Sequence, residues 1–448
     1  MLSVSEAQSR VTDLVAAARR AGADAADAVY ICDASTDVRI RLGQLEDVGR
    51  AEGEEIGLRL FVGSRSASVS SSDLSAAALG ALVDRAHAMA REAPEDRFAG
   101  LAPEDRLMTG AVADLDLDDD AEPEPAALRE AAHAAEEAAR AIPGVTNSEG
   151  AGASASRTRI ALATSHGFSG AYGTSGYGIS ASVLAGTCGG MQRDYAYHSA
   201  RHYTDLDSPE AIGRLAGERA VRRLDPGKLA SAPMPVVFDP RIAPGIVGHL
   251  IGAITGSAIS RKASFLLDAL GTQVFDSAIT ILDDPHRRRG LRSRPFDGEG
   301  LPTGPRALVE RGVLTGWLME SASARQLGLE PTGHAMRGTS GPPGVGTSNV
   351  HMAPGTVSPQ ALIADIRLGV YLTELIGMGV NGVTGDYSRG ASGYLIEDGQ
   401  ITTPVAEITI AGTLQEMFRA LTPADDLGFR YATNTPTLRI DGMTVAGG

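Results

Sequence analysis

The chain has 448 residues, a formal charge of −15, 21% charged and 43% hydrophobic residues. That composition excludes a disordered chain, and the acidic balance argues against nucleic acid as a partner, because neutralising phosphates needs a basic face. Cys32 and Cys188 stand alone, too few for a CxxC site or a disulfide framework.

The first segment, EAQSRVTDLVAAARR at 6–20, has the spacing of an amphipathic helix, capped by Ser3 or Ser5 and stopped at Gly22. TDVRIRL (36–42) and EIGLRLFV (55–62) alternate as strands, with a hairpin at Gly63-Ser64. A second helix is predicted from about Asp73 to Arg91. The acidic run Asp114–Glu124 reads as solvated, and 125–142 as a helix closed by Pro143-Gly144. From Ser154 to Tyr203 short alternating strands with glycine turns predict a meander, followed by a helix over 208–224. Further on, Glu310-Arg311-Gly312 and Asp398-Gly399 predict hairpin turns, and Ser358-Pro359 a helix start.

These elements predict an α+β fold of mixed, mainly antiparallel sheets with packed helices. The expected organisation is an N-terminal α+β domain over 1–95, a middle domain over 110–227 and a larger C-terminal domain over 232–448. The longest apolar run, around 246–259, is too short for a membrane span. The opening residues MLSVSEAQSRV show no signal features. A cytoplasmic protein is expected.

Candidate chemistry is sparse. His198 and His202 are four apart, but RDYAYHSARHYTD has strand period, which separates them by roughly 13 Å, too far for one metal. GPPGVGTS (341–348) has Thr347 where a phosphate loop needs lysine, and Pro342 and Pro343 remove amide donors. In GDYSRGASG (385–393) Asp386 replaces the glycine a nucleophile elbow requires before Ser388. A tight turn with Asp386 and Arg389 paired is expected there. HRRRGLRSR (286–294) is the one basic cluster, either a solvated loop or a contact for an acidic partner surface. On a helix, His249 would have Gly245, Gly248, Gly252 and Ala253 as neighbours, none able to bind metal or move a proton. No metal site is expected on this chain.

RKASFLLDALG (261–271), TGHAMRG (332–338), PPGVGTSN (342–349), GDYSRGASGYLIEDGQ (385–400) and PVAEITIAGTL (404–414) resemble the TldD/PmbA family, within it the PmbA branch, also called TldE. The resemblance implies a heterodimer with a TldD-like subunit, a zinc-dependent cytoplasmic protease for unfolded peptides. It also implies a His-Glu-x-x-x-His helix and a C-terminal cysteine on that partner. Counted back from Arg261, those six positions are Gly248–Ala253 here, so glycine, His249 and Ala253 stand where histidine, glutamate and histidine would. YATNTPTLRIDG (431–442) has no cysteine.

The expectation is therefore a non-catalytic subunit that binds no cofactor itself, with zinc on the partner. Arg261, Lys262, His334, Asp386, Tyr387, Ser388 and Arg389 are the candidates to face substrate or partner. Whether the chain forms a homodimer without that partner is left open by the sequence. Two other readings remain: a regulatory protein of a gyrase or toxin–antitoxin pathway without protease activity, and a hydrolase using Ser388 or His249.

Overall fold

The computed structural model describes residues 1–447. Its first helix, α1 (Val4–Arg20), starts in a capping box in which Ser3 and Glu6 satisfy each other's amides, and it buries Val11, Leu14, Val15 and Ala18. Strands β1 (Ala25–Arg41), β2 (Gln44–Val62) and β3 (Arg65–Ser71) follow, then helices α2 (Ala76–Glu92) and α3 (Pro125–Arg140). Next come β4 (Val145–Thr164), β5 (Ser169–Ala185), β6 (Gln192–Ala200) and helix α4 (Pro209–Arg222).

All six strands form one antiparallel sheet in the order β3-β2-β1-β4-β5-β6. It runs through both the first and the middle segment, joined where Asp27–Ile40 of β1 pairs with Ala151–Thr164 of β4. The middle strands are long, not the short ones expected: β4 has 20 residues and β5 has 17.

Period-2 alternation gives the sheet two different faces. On β1, Ala26, Ala28, Tyr30 and Cys32 pack under α1 and α2, and further along Val38 and Ile40 pack under α3 and α4. The opposite face carries Asp27 and Val29. Val29 joins Leu162, Phe168 and Phe296 in a small core against the C-terminal segment.

That segment contains β7 (Ala232–Phe238), helices α5 (Pro244–Ala253) and α6 (Gly256–Ser260), then β8 (Ile281–Asp283), β9 (Arg306–Glu310), β10 (Val313–Leu314) and α7 (Ser321–Leu327). It continues with β11 (Ala335–Met336), β12 (Gly344–Val345), β13 (Val350–Met352), α8 (Pro359–Ile363), β14 (Leu368–Ile376), β15 (Asp386–Glu397) and β16 (Gln400–Thr413). It ends with α9 (Leu414–Arg419), β17 (Leu421–Pro423), β18 (Thr433–Asn434) and β19 (Leu438–Ala446). Because β16 pairs with both β15 and β19, strands β16, β15, β14, β7 and β19 close into a ring. On β7, Met234, Val236 and Phe238 enter the large core, while Val237 meets Ile363 of α8 on the other face. The Asp398-Gly399 turn has positive φ at both residues (47° and 76°), as a two-residue hairpin loop requires.

A buried ionic clasp joins the two bodies. Asp27 accepts from Arg59 Nε (2.7 Å) on β2 and from Arg337 Nη2 (3.0 Å) on the C-terminal segment. Burial alone would raise the Asp27 pKa; the two guanidiniums overcome it and hold the carboxyl below its usual range. Beside it Gly57 lets the backbone of Thr339 approach so closely that a Cβ would lie 2.1 Å from the Thr339 carbonyl oxygen.

The acidic run is tied down rather than simply solvated. Leu115 and Leu117 are buried, Asp116 pairs with Arg288 (3.2 Å) and Arg289 (2.7 Å), and Asp118 with Arg159 (2.8 Å). The basic cluster's acidic partner thus includes the chain's own Asp116 and Asp205.

At the same seam Glu299 is buried and pushed up to about 7, first by burial and then by the neighbouring Asp297 charge. An acid raised in the folded state stabilises fully below its unfolded pKa, and that contribution is lost as pH rises through the folded value. Between pH 4.5 and about 7 the loss is about 3 kcal/mol. Glu299→Gln, whose amide oxygen can still accept from Ser321, is expected to flatten this part of the stability–pH curve. Urea unfolding at several pH values measures it; an unchanged slope contradicts the assignment.

Candidate functional site

Helix α5 begins with Pro244 at its first turn and buries Ile246, Val247, Leu250 and Ala253. Its outer face carries Gly245, Gly248 and Gly252, all exposed. A Cβ added at any of the three would meet nothing within 4 Å. Each glycine costs a helix interior about 1 kcal/mol relative to alanine, and no contact inside this chain requires it. The result is a strip of bare helical backbone.

His249 is half-buried at the edge of this strip. Its ring meets that of Tyr387 on β15 edge-on, with centroids 5.7 Å apart. Burial lowers its pKa, and Arg389 adds to the effect, so the imidazole is neutral at pH 7. Tyr387 is itself buried, its phenol pushed up to about 12 by burial, and its oxygen has no hydrogen-bond partner. It lies under a shallow open hollow bordered by Met378, Val380, Asn381, Asp386 and Ser388.

The GDYSRGASG stretch is not the expected tight turn. Asp386 opens the strand β15, pairing opposite Thr413. Asp386 accepts from Thr384 Oγ1 (2.5 Å), while Arg389 Nε donates to the Ile376 carbonyl (3.2 Å). The expected Asp386–Arg389 pair does not form, because side chains three apart on a strand leave opposite faces. Ser388 is exposed, with no histidine among its hydrogen-bond partners.

Arg261 and Lys262 follow α6, both exposed, with Lys262 at a positive φ of 55°. Among the described residues neither makes an ion pair. His334 departs from its expected outward role: it is buried, with Nε2 3.3 Å from Asp283 and Nδ1 2.9 Å from Thr332 Oγ1. It braces the β8–β11 region from within. His198 and His202 sit on extended backbone and bond to different groups, the Asp207 amide (3.0 Å) and Asp116 (3.2 Å).

Sequence reasoning missed the loop between β14 and β15. It exposes Met378 (90%), which borders the hollow, and Val383 (54%), next to the exposed end of β14 at Ile376 (57%). The signal was present as three large apolar residues in a glycine-rich run, a combination that marks contact surfaces.

Among the described residues no group of three His, Cys, Asp or Glu side chains is placed to hold a metal ion. Position by position, Gly248, His249 and Ala253 offer one imidazole where a zinc site needs at least three donors, so these residues do not fit a metal centre. No helix of the described residues is long and apolar enough to cross a membrane.

Taken together, the fold is that of a multi-segment α+β protein whose exposed helix lacks the side chains for metal catalysis. The chain belongs to the PmbA/TldD metalloprotease family. Residues 26–90, 118–224 and 231–447 match the first, central and C-terminal domains of the PmbA/TldA metallopeptidase models. It is 38% identical over 426 residues to Metalloprotease PmbA of Escherichia coli O157:H7, covering 95% of this chain and 92% of the relative. It is 31% identical over 235 residues to a Metalloprotease TldD homolog of Haemophilus influenzae, covering 48% of each. In structure it is similar to a candidate modulator of DNA gyrase from Bacteroides thetaiotaomicron (TM-score 0.91, 27% identity, 99% of each chain). TldE from Thermococcus kodakarensis shares the fold (TM-score 0.87, 20% identity, 98% of this chain and 100% of that one).

If the glycine face of α5 is uncovered within this chain, Gly248→Ala and Gly252→Ala each stabilise the isolated protein by about 1 kcal/mol. Denaturant unfolding reads this directly; destabilisation by either alanine would mean that the face is covered.

Proposed function

We propose that this chain is the non-catalytic, TldE-like subunit of a heterodimeric zinc protease, whose TldD-like partner carries the metal and the general base. The observation that supports this reading is α5. The helix at the family's expected metal position keeps its fold, yet offers only His249, and that imidazole is occupied against Tyr387. A helix stripped to Gly245, Gly248 and Gly252 allows another backbone to approach closely. The end of β14 and the loop after it supply Ile376, Met378 and Val383 as apolar contacts.

In this reading the chain contributes surface rather than chemistry. Its bare helix and the β14–β15 loop close one wall of a cleft around the partner's centre. Such a cleft admits an extended, unfolded peptide, which can be held through backbone hydrogen bonds with little sequence preference. Arg261, Lys262, Asp386 and Ser388 are exposed polar groups close in sequence to that wall. The complex works in the cytoplasm, where the unpaired Cys32 and Cys188 fit a reducing medium.

A second reading follows from the candidate gyrase modulator among the structural relatives: a regulatory protein without a proteolytic role. The net charge of −15 makes direct DNA contact unfavourable, so an effect on gyrase would be an indirect result of peptide processing.

The test is to assay hydrolysis of an unfolded peptide by this chain, by a TldD-like subunit, and by their mixture, with zinc measured on each. Activity and stoichiometric zinc are expected with the partner present, and neither on this chain alone. Hydrolysis by this chain alone would overturn the assignment.

A further inference from the structure

Besides the clasp, the seam between the six-stranded sheet and the C-terminal body contains a cavity of about 80 Å³. One water needs roughly 10–15 Å³ of such space, so there is room for a small organic molecule. Ile31, Ile160 and Phe296 give it apolar walls, Tyr172 and Met336 border it, and Arg294 lines it. Met336, Ile31 and Ile160 are incompletely buried, which provides a route in.

Arg294 is the unusual member. It is only 7% exposed, yet among the described residues it has no carboxylate within ion-pair reach. Nη2 donates to the Gly346 carbonyl (2.6 Å) and Nη1 to the Met336 thioether, a weak acceptor. Nε has no partner at all. A guanidinium cannot relieve its burial by losing a proton, and an unpaired buried cation is costly.

The other charges compensate only from a distance: Asp283 and Asp297 attract Arg294 without coming into ion-pair contact. Arg337 lines it too, but is committed to Asp27, which also takes Arg59, so two cations share one carboxylate. Asp297 is buried with its oxygens occupied by the amides of Glu299, Leu301 and Ala335. No carboxylate therefore contacts Arg294, and the cavity has space for a short apolar body.

We propose that this cavity binds a small monocarboxylate, its carboxylate against the guanidinium of Arg294 and its alkyl chain between Ile31, Ile160 and Phe296. A phosphate is the wrong class, since its additional charge and oxygens would meet these apolar walls and Asp297. A bound carboxylate would touch both the sheet and the C-terminal body and so tighten the seam. Binding to the folded state alone raises its stability with ligand concentration.

Sodium propionate titrated into the dialysed full-length chain at constant ionic strength tests this, read by calorimetry and thermal unfolding. The expected result is saturable, single-site binding with a rise in Tm, weaker for acetate and absent for inorganic phosphate and chloride. Arg294→Gln is expected to weaken binding at least tenfold. Should that variant fail to fold, Ile160→Phe fills the cavity from a half-buried strand position with Arg294 intact, and is expected to abolish binding with an unchanged circular dichroism spectrum. No saturable propionate binding, binding of phosphate in its place, or undiminished binding by folded Ile160→Phe would each overturn the proposal.

Discussion

Asp27 ties together the two bodies of this molecule. A single carboxylate on β1, deep in the seam, satisfies Arg59 from the neighbouring strand and Arg337 from more than 300 residues away. Breaking such a pair by removing one member leaves an uncompensated buried charge, worth about 3–5 kcal/mol. Around it the same seam collects Glu299, Asp297 and Arg294, together with Arg325, which reaches back to the Phe98 carbonyl (2.6 Å) of the connecting segment. Several of the interior's buried charges thus lie where the sheet meets the C-terminal body.

The fold's exposed helix shows the opposite economy. Where a metal centre would demand several converging donors and a proton carrier, α5 presents open backbone and one neutral imidazole already packed against a tyrosine. Burial lowers the His249 pKa and raises that of Tyr387, which favours the uncharged form of both. Tyr387 links this helix to the hollow bordered by the exposed Met378, an apolar exposure of the kind that marks contact surfaces.

Local chemistry made much of the fold legible. Ser3 and Glu6 announce α1, Ser358-Pro359 announces α8, and Asp398-Gly399 gives the turn between β15 and β16, because each signal lies within a few residues. What was hidden depends on partners distant in the chain. The union of the first and middle segments into one sheet rests on Asp27–Ile40 finding Ala151–Thr164. The acidic run looked free because Arg288 and Arg289 lie about 170 residues further on. His334 looked available because Asp283, which holds it inside, is not near it in sequence. At α5 the missing donors could be read from the residue types alone. Which face of the helix is open could not, since that depends on tertiary packing.

The most direct measurement is backbone hydrogen–deuterium exchange of this chain with and without a TldD-like subunit. Slowed exchange in the α5 peptide and in the β14–β15 loop, with the α1 and α3 regions unchanged, is the predicted result. Formation of the complex with exchange at α5 and in that loop unaltered would contradict the claim that this bare face is what the subunit contributes.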